Sequence, residues 1–354
     1  MMEVADANES ARAEKEWSRG KLRSVDSCPA CGCHERLASV YRRKDDSASM
    51  PDIWNMVTCK ACGTLYIDPR PDNESLSRCY EEYFTHTPIQ EVYPEKGVAG
   101  FLWRLINGYL NTQFGTNRAP STKLGYFIFA LAIPWRQKLD YYCRHLTLHR
   151  FPNRGTLLDL GCGNGSFLRR AKEMQWDAYG CEPDSRAVEV CRDEGLDVIE
   201  GDVFDEKLNG RQFDVVTVSH VIEHVPDIYH ALSRIHSIVK PGGTVWFALP
   251  NPNSVTIRLF SSAAAPLHIP HHLCIPTQAQ FGKMLQKSGF TQVRAVKRGI
   301  QARSHWDSSV RIAEQQDLNR PGRVTVFLGR LISEILSTVS VRWSEESVFV
   351  ASKD

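Results

Sequence analysis

The stretch Leu157-Leu158-Asp159-Leu160-Gly161-Cys162-Gly163-Asn164-Gly165-Ser166-Phe167-Leu168 carries the strongest fold signal in this chain. A short apolar run ends in an acid, a Gly-x-Gly-x-Gly turn follows, and a helical pattern begins. That order describes a buried strand whose backbone turns sharply at its carboxyl edge, where open α/β sheets bind ligands. Glycines adopt conformations there that other residues resist, and they let a ligand approach the main chain. A dinucleotide fingerprint asks for glycine at position 166; Ser166 stands there, so a pyrophosphate cradle fits poorly.

Further parts of one site follow at sensible distances. Ala178–Glu182 reads as a second strand, and Glu182 lies 21 residues after Gly161, where an acid can accept two hydrogen bonds from ribose hydroxyls. Val198–Val203 reads as a third, with Asp202 at its tip placed to receive an amino group such as that of adenine. Phe213–Ser219 is a fourth, followed by His220-Val221-Ile222-Glu223-His224. Val239-Lys240-Pro241-Gly242-Gly243 is expected to turn into a fifth strand, Thr244–Leu249.

This ordered series, Leu-Asp-Leu-Gly-Cys-Gly-Asn-Gly, Gly-Cys-Glu-Pro, Gly-Asp-Val, Ser-His-Val-Ile-Glu-His-Val and Lys-Pro-Gly-Gly, resembles the class I S-adenosylmethionine (SAM) dependent methyltransferases. The resemblance covers about residues 150–298 and resumes at Glu346-Ser347, which is similar to that family's last strand. It implies an α/β, Rossmann-like seven-stranded sheet and SAM as cofactor. It further implies that Asp159, Gly161 and Gly163 line the methionine end, that Glu182 holds the ribose, and that Asp202 and Val203 hold the adenine. Cys162, Gly165 and Ser219 belong to the same expected cofactor site. Thr291–Lys297 and Glu346–Ser352 would be the sixth and seventh strands, paired antiparallel as in that family, with a helix over Pro276–Gly289 before them.

Cys28-Pro29-Ala30-Cys31-Gly32 and Cys59-Lys60-Ala61-Cys62-Gly63 form two CxxC knuckles. Thiolates three residues apart on a tight turn can both reach one tetrahedral ion, so Cys28, Cys31, Cys59 and Cys62 are the expected ligands of a structural Zn2+ in a ribbon. Cys33 and His34 lie close in sequence, but the symmetry of the two pairs argues against them. Residues 1–66 hold ten Lys/Arg against ten Asp/Glu, a balance unsuited to gripping nucleic acid.

Composition sets further bounds. The chain has 354 residues, 42% hydrophobic and 24% charged, with a net charge of +2, as in an ordinary globular protein of more than one domain without a strong field toward polyanions. Residues 1–24 are charged, offer no apolar run of signal-peptide type and read as a flexible tail, so a reducing cytoplasm is the expected compartment. The expected organisation is a tail (1–24), a zinc ribbon (25–70), a helical cap or substrate region (71–150), the SAM-binding core (151–298), and an insertion helix with the final strand (299–354).

The cap is rich in aromatics, with two apolar segments, Gly97–Leu110 and Leu124–Trp135, both too short to span a bilayer. Packing on the core, a lid over the substrate, or a shallow interfacial hairpin drawing the enzyme to the inner face of a membrane all remain open for them. A second apolar helix, Val324–Val339, is expected to serve substrate-region packing or a dimer surface rather than a membrane span.

Chemistry is expected just past the fourth strand. Methyl transfer is an in-line displacement, and a hydroxyl acceptor must also lose its proton, a task suited to neutral imidazole. His220 is the first choice of base, with Glu223 and His224 orienting it or binding substrate. Some ubiquinone-pathway and small-RNA O-methyltransferases hold a divalent cation here with a Glu-x-x-Glu-His run. This chain has His220 in place of the first Glu, so a mixed site of His220, Glu223, His224 and one of His268, His271 or His272 stays open, as does a merely local capping role for Glu223 and His224.

Downstream, Pro270-His271-His272-Leu273 resembles the Pro-Arg-His-Leu of a large bacterial group of sugar-, polysaccharide- and lipid-modifying methyltransferases, with His271 replacing the arginine. That group also tends to carry the CxxC pairs and a segment like Tyr80–His86. The resemblance makes His272 a second candidate base and implies O-methylation of a sugar, lipid-linked glycan or small-molecule acceptor. C-methylation of a nucleotide-linked keto sugar, ribosomal RNA methylation and a non-catalytic SAM-binding scaffold are the alternatives.

Overall fold

The computed structural model describes residues 16–17, 19–37, 41–45, 52–80 and 96–354. The first fifteen residues of the expected tail, and Glu81–His86 of the Tyr80–His86 segment, lie outside them. At the centre stands a sheet of seven strands: β1 (Thr156–Leu160), β2 (Asp177–Glu182), β3 (Asp197–Glu200), β4 (Phe213–Ser219), β5 (Val239–Pro250), β6 (Thr291–Val296) and β7 (Glu346–Ser352). Their spatial order is β6-β7-β5-β4-β1-β2-β3, with β1 to β5 parallel and β7 antiparallel to both neighbours. The expected antiparallel sixth and seventh strands are therefore present.

The sheet is apolar on both faces, as a strand layer covered by helices on each side requires. Leu158, Val216, Val218, Phe247 and Phe349 point to one side, against helices Ile228–Ile238 and Gln278–Lys287. Leu157, Val215 and Ala178 point to the other, where Phe167, Leu168 and Cys191 of helices Ser166–Glu173 and Ser185–Asp193 pack with Tyr109 and Phe114 of helix Gly97–Phe114. The expected turn at Pro241–Gly243 is instead absorbed into one long strand: β5 runs unbroken through Gly242, whose φ of +75° no side-chain-bearing residue adopts easily.

One further expectation needs correction. Glu16–Trp17 and Gly20–Arg23 are not tail but a small hairpin, whose second strand pairs with Arg70–Pro71. It is held by Trp17, buried edge-on against Trp54 with ring centroids 5.1 Å apart. The charged residues around Trp17 hid this anchor. The ribbon is built into the core. Its strands Tyr41–Lys44, Ile53–Thr58 and Leu65–Ile67 form a sheet that gains a fourth strand, Cys274–Ile275, from the core's post-β5 loop. Tyr229 and Gln280 on two core helices both donate to the Ala30 carbonyl inside the first knuckle, at 2.9 and 2.7 Å.

The cap comprises helices Gly97–Phe114, Leu124–Leu131 and Ile133–Tyr142, and the C-terminal insertion comprises Ala302–Gln315 and Arg323–Val339. Among the described residues no helix is long and apolar enough to cross a membrane.

Candidate functional site

The glycine turn leaves β1 with all three glycines in the left-handed region, φ +69° at Gly161, +52° at Gly163 and +76° at Gly165. A Cβ at Gly161 would come within 2.3 Å of Val221 Cγ2, and one at Gly165 within 2.4 Å of Leu196 Cδ1. The turn is thus fixed by both backbone conformation and space. Behind it, buried Asp159 accepts a 2.6 Å hydrogen bond from Thr217 Oγ1. Burial raises the Asp159 carboxyl to about 6, against the opposing pull of the Arg144 guanidinium and the Thr217 hydroxyl.

At the tip of β2, Glu182 is only 4% exposed and uses both carboxylate oxygens on main-chain amides, Oε2 on Gly163 N at 2.8 Å and Oε1 on Asp184 N at 3.1 Å. Burial raises its pKa, and these two amides oppose the rise. Asp202, past β3, accepts from Phe204 N at 2.8 Å. Together these tips border a cleft of about 800 Å³ lined by Gly161, Gly163, Glu182, Asp202, Val203 and Ser219. Asp159, Cys162 and Gly165 stand behind this wall rather than on it. Asn73 and Leu76, on the segment following the ribbon, also line it.

His220 and His224 line this cleft and also a smaller cavity of about 260 Å³ beyond it, shared with His268, His272, His305 and Glu346. His220, at φ +54°, is held at the end of β4 by its amide on Ala248 O at 2.9 Å. Its ring lies between two buried carboxylates, Nδ1 3.1 Å from Glu223 Oε1 and Nε2 3.4 Å from Glu346 Oε1. Burial works against its charge, but Glu346 and Glu223 outweigh it and raise the imidazole to about 10. Glu346 in turn is bound by Arg298 Nε at 3.1 Å and by the Gln301 amide. Although burial opposes it, Arg298 and His220 hold its carboxyl well below the usual range.

The neighbouring histidines have the opposite character. His224 Nδ1 lies 3.0 Å from His271 O, and His272 Nδ1 lies 3.0 Å from Pro266 O; next to a carbonyl each Nδ1 must be the protonated nitrogen. Burial pushes His224 down to about 4 and His272 well below its ordinary value, so both rings are neutral. His272 Nε2 is 3.8 Å from Glu223 Oε1. The ligand atoms of Glu223, His224 and His272 lie within 4.8 Å of one another.

These elements follow the pattern of a known family. A family model described as "Methyltransferase domain" matches residues 135–295. Residues 135–295 are a methyltransferase domain. Among curated relatives, the chain is 36% identical over 101 residues to a ubiquinone biosynthesis O-methyltransferase of Methylococcus capsulatus, covering 27% of this chain and 43% of that relative. It is 33% identical over 106 residues to the same-named protein of Pseudomonas paraeruginosa, covering 28% and 45%. The chain spans less than half the length of these relatives. A solved SAM-dependent methyltransferase from Archaeoglobus fulgidus superposes with a TM-score of 0.41 at 22% identity, covering 64% of this chain and 99% of that one.

Within the methyltransferase domain the sequence-derived residues converge: Gly161, Gly163, Glu182, Asp202, Val203 and Ser219 on one cavity, and His220, Glu223, His224 and His272 around the next. Sequence reasoning missed three. Glu346, at the start of β7, reaches His220, and Arg298, just past β6, binds Glu346. Arg144, from the cap, donates from Nη1 to Ser219 Oγ at 2.9 Å while its guanidinium lies 4.4 Å from the Trp246 ring centre and 4.7 Å from that of Phe167. Isolated charged residues far from any motif gave no signal for this.

The four knuckle thiols also meet. Cys28 and Cys62 sulfurs are 3.7 Å apart, Cys31 and Cys59 3.5 Å, and all four lie within 4.8 Å. A tetrahedral zinc with Zn–S bonds of about 2.3 Å spaces its sulfurs by roughly 3.8 Å, so the donor set fits that ion. Gly32 and Gly63, at φ +75° and +72°, close the two turns. Cys33 instead contacts the Glu35 carbonyl, and His34 the Asp26 carbonyl.

Proposed function

We propose that the chain is a SAM-dependent methyltransferase that methylates a hydroxyl group on a sugar, lipid-linked glycan or small molecule. The observation that carries this reading is the continuity of the two cavities, which share His220 and His224 at the carboxyl rim of the sheet. The large cleft suits an adenosyl group: the glycine turn brings bare backbone to its wall, Glu182 would hold the ribose, Asp202 with Val203 the adenine, and Arg144 the methionine carboxylate. Bound SAM supplies an electrophilic methyl carbon on a sulfonium. The smaller cavity would hold the acceptor.

Within that cavity the work divides between charged and neutral imidazoles. A protonated His220 cannot take the acceptor's proton, so the role first expected of it passes to His272. With Nδ1–H bound to Pro266 O, His272 carries its basic lone pair on Nε2, and the carboxylate of Glu223 nearby stabilises the imidazolium that forms. His220, with both ring nitrogens held between Glu223 and Glu346, sets a positive charge beside the acceptor. In the ribbon, Zn2+ would close all four positions and act structurally.

A cation at Glu223, His224 and His272 is a second reading, favoured by one observation: Glu223 Oε2 is buried and among the described residues has no hydrogen-bond partner. Ubiquinone biosynthesis O-methyltransferases, the named relatives, make a phenolic hydroxyl a further acceptor class to try.

The test is transfer of radiolabelled methyl from SAM into fractionated nucleotide sugars, lipid-linked glycans, phenols and RNA, with and without chelator. Label in an alkali-stable ether supports the proposal. Label in RNA, or no calorimetric heat with S-adenosylhomocysteine on zinc-replete protein, overturns it. His272→Asn should lower kcat about 100-fold or more with cofactor affinity unchanged, and full activity would remove His272 as base.

A further inference from the structure

Helix Arg323–Val339 is built inside out. Its small and polar positions Gly329, Ser333 and Ser337 face the protein, while Val324, Phe327, Leu328, Leu331, Ile335 and Val339 face outward, Val324 73% and Phe327 62% exposed. The inward face is specific. A Cβ at Gly329 would come within 2.4 Å of Trp306, and Ser333 Oγ donates to buried Glu345 beside the pocket residue Glu346. The outward spacing, three and four residues apart, is that of one continuous apolar stripe. Gln137 of helix Ile133–Tyr142 donates to Thr338 O at 3.2 Å, joining this helix to the cap. The cap's own outward residues include Phe127, Leu131 at 86% exposure, Ile133 and Trp135.

Charge decides the occupant. The helices Gly97–Phe114, Leu124–Tyr142 and Arg323–Val339 contain two acids, and both turn inward: Asp140 accepts from Tyr109, and Glu334 from Gln301 N at 2.9 Å. Exposed cations frame the apolar residues, Arg104, Lys123 and Arg323 on these helices or at their ends, with Arg342 just beyond. Lys138 lies over the Trp135 ring. A second copy meeting this face across a two-fold axis would set cation against cation. Interfacial helices on acidic lipid carry this combination of an apolar stripe, aromatic residues and a basic rim.

We propose that helix Arg323–Val339 and the adjoining cap helices Leu124–Tyr142 lie flat on a phospholipid bilayer with anionic headgroups. The chain would dock peripherally, with the stripe in the headgroup boundary and the basic residues against the lipid phosphates. Through Ser333 and Glu345 the docked helix sits one packed layer from the acceptor cavity. This inference does not depend on methyl transfer, since binding is read without turnover.

The experiment is flotation of the full-length, zinc-replete chain with vesicles of phosphatidylcholine alone and of phosphatidylcholine and phosphatidylglycerol in equal parts. The chain should float with the mixed vesicles and much less with the neutral ones. Phe327→Glu and Leu331→Glu, at exposed positions, should each weaken partitioning about ten-fold or more. Arg323→Glu should weaken it at least about five-fold on the mixed vesicles only. S-adenosylhomocysteine binding, measured in parallel, should be unchanged in all three variants, which separates failure of the surface from failure of the cofactor site. Failure to float with mixed vesicles overturns the proposal. So does a dimer in sedimentation velocity that Leu331→Glu dissociates, because the stripe is then a subunit interface.

Discussion

Replacing Glu182 with glutamine is expected to weaken adenosyl binding by about 10- to 150-fold. The magnitude follows from how the carboxylate is used. Each oxygen already accepts one main-chain amide, from Gly163 at 2.8 Å and from Asp184 at 3.1 Å, in surroundings that leave the residue 4% exposed. Glutamine keeps the shape but offers a single acceptor oxygen, and its NH2 faces the other N–H, donor against donor. One charge-assisted hydrogen bond is lost, worth about 1.5–3 kcal/mol. The same oxygens must also accept from the ribose hydroxyls, which the glutamine NH2 cannot do, so one such bond is lost in the complex specifically. At about 1.4 kcal/mol per factor of ten, this gives the stated range. Titration calorimetry with S-adenosylhomocysteine reads it, with circular dichroism to confirm that the variant is folded. A Kd within about two-fold of the parent's would correspond to only about 0.4 kcal/mol and would refute the role assigned to Glu182.

Other expectations can be checked alongside. Gly165→Ala combines a φ of +76° with a Cβ 2.4 Å from Leu196 and 2.9 Å from Cys191 Sγ, and should cost about 2–5 kcal/mol in urea unfolding, the sum of left-handed strain and overpacking; an unmoved midpoint would contradict the turn's geometry. Cys59→Ser should abolish one equivalent of zinc by atomic emission and lower the melting temperature by several degrees; unchanged metal content would eliminate the four-thiol site. His220 has a folded pKa raised from 6.5 to about 10, so its contribution to stability is full below 6.5 and is lost as pH rises through about 10. Parent melting should therefore fall across that window relative to Glu346→Gln, which lacks the dominant partner; parallel curves would refute the ion pair.

The larger cleft was legible because its parts are local. Gly161 and Gly163, Glu182 and Asp202 each sit at the tip of their own strand, and parallel strands bring such tips to one rim. The smaller cavity was only half legible. His220, Glu223, His224 and His272 stood out as a histidine-rich pattern, but the charge on His220 depends on Glu346, which arrives by long-range antiparallel pairing that no local spacing reveals. Helix Arg323–Val339 shows the same limit. Its apolar stripe was plain in the sequence, but which face turned inward was decided by the fit of Gly329 against Trp306 and of Ser333 against Glu345. The hairpin at Glu16–Arg23 was hidden because one tryptophan, not a pattern, holds it.

The two-residue strand Cys274–Ile275 begins one residue beyond His272-Leu273 and pairs with Leu65 and Tyr66, just past the second knuckle. Thr277 fastens the same stretch again, through its hydroxyl to Cys62 O at 3.0 Å. The ribbon is therefore a keel to the loop that carries His272 rather than an appendage. Oxidising the knuckle sulfurs would loosen the hull at the spot where His272 is set, while the glycine turn and Glu182, braced on their own strands, would keep their berth.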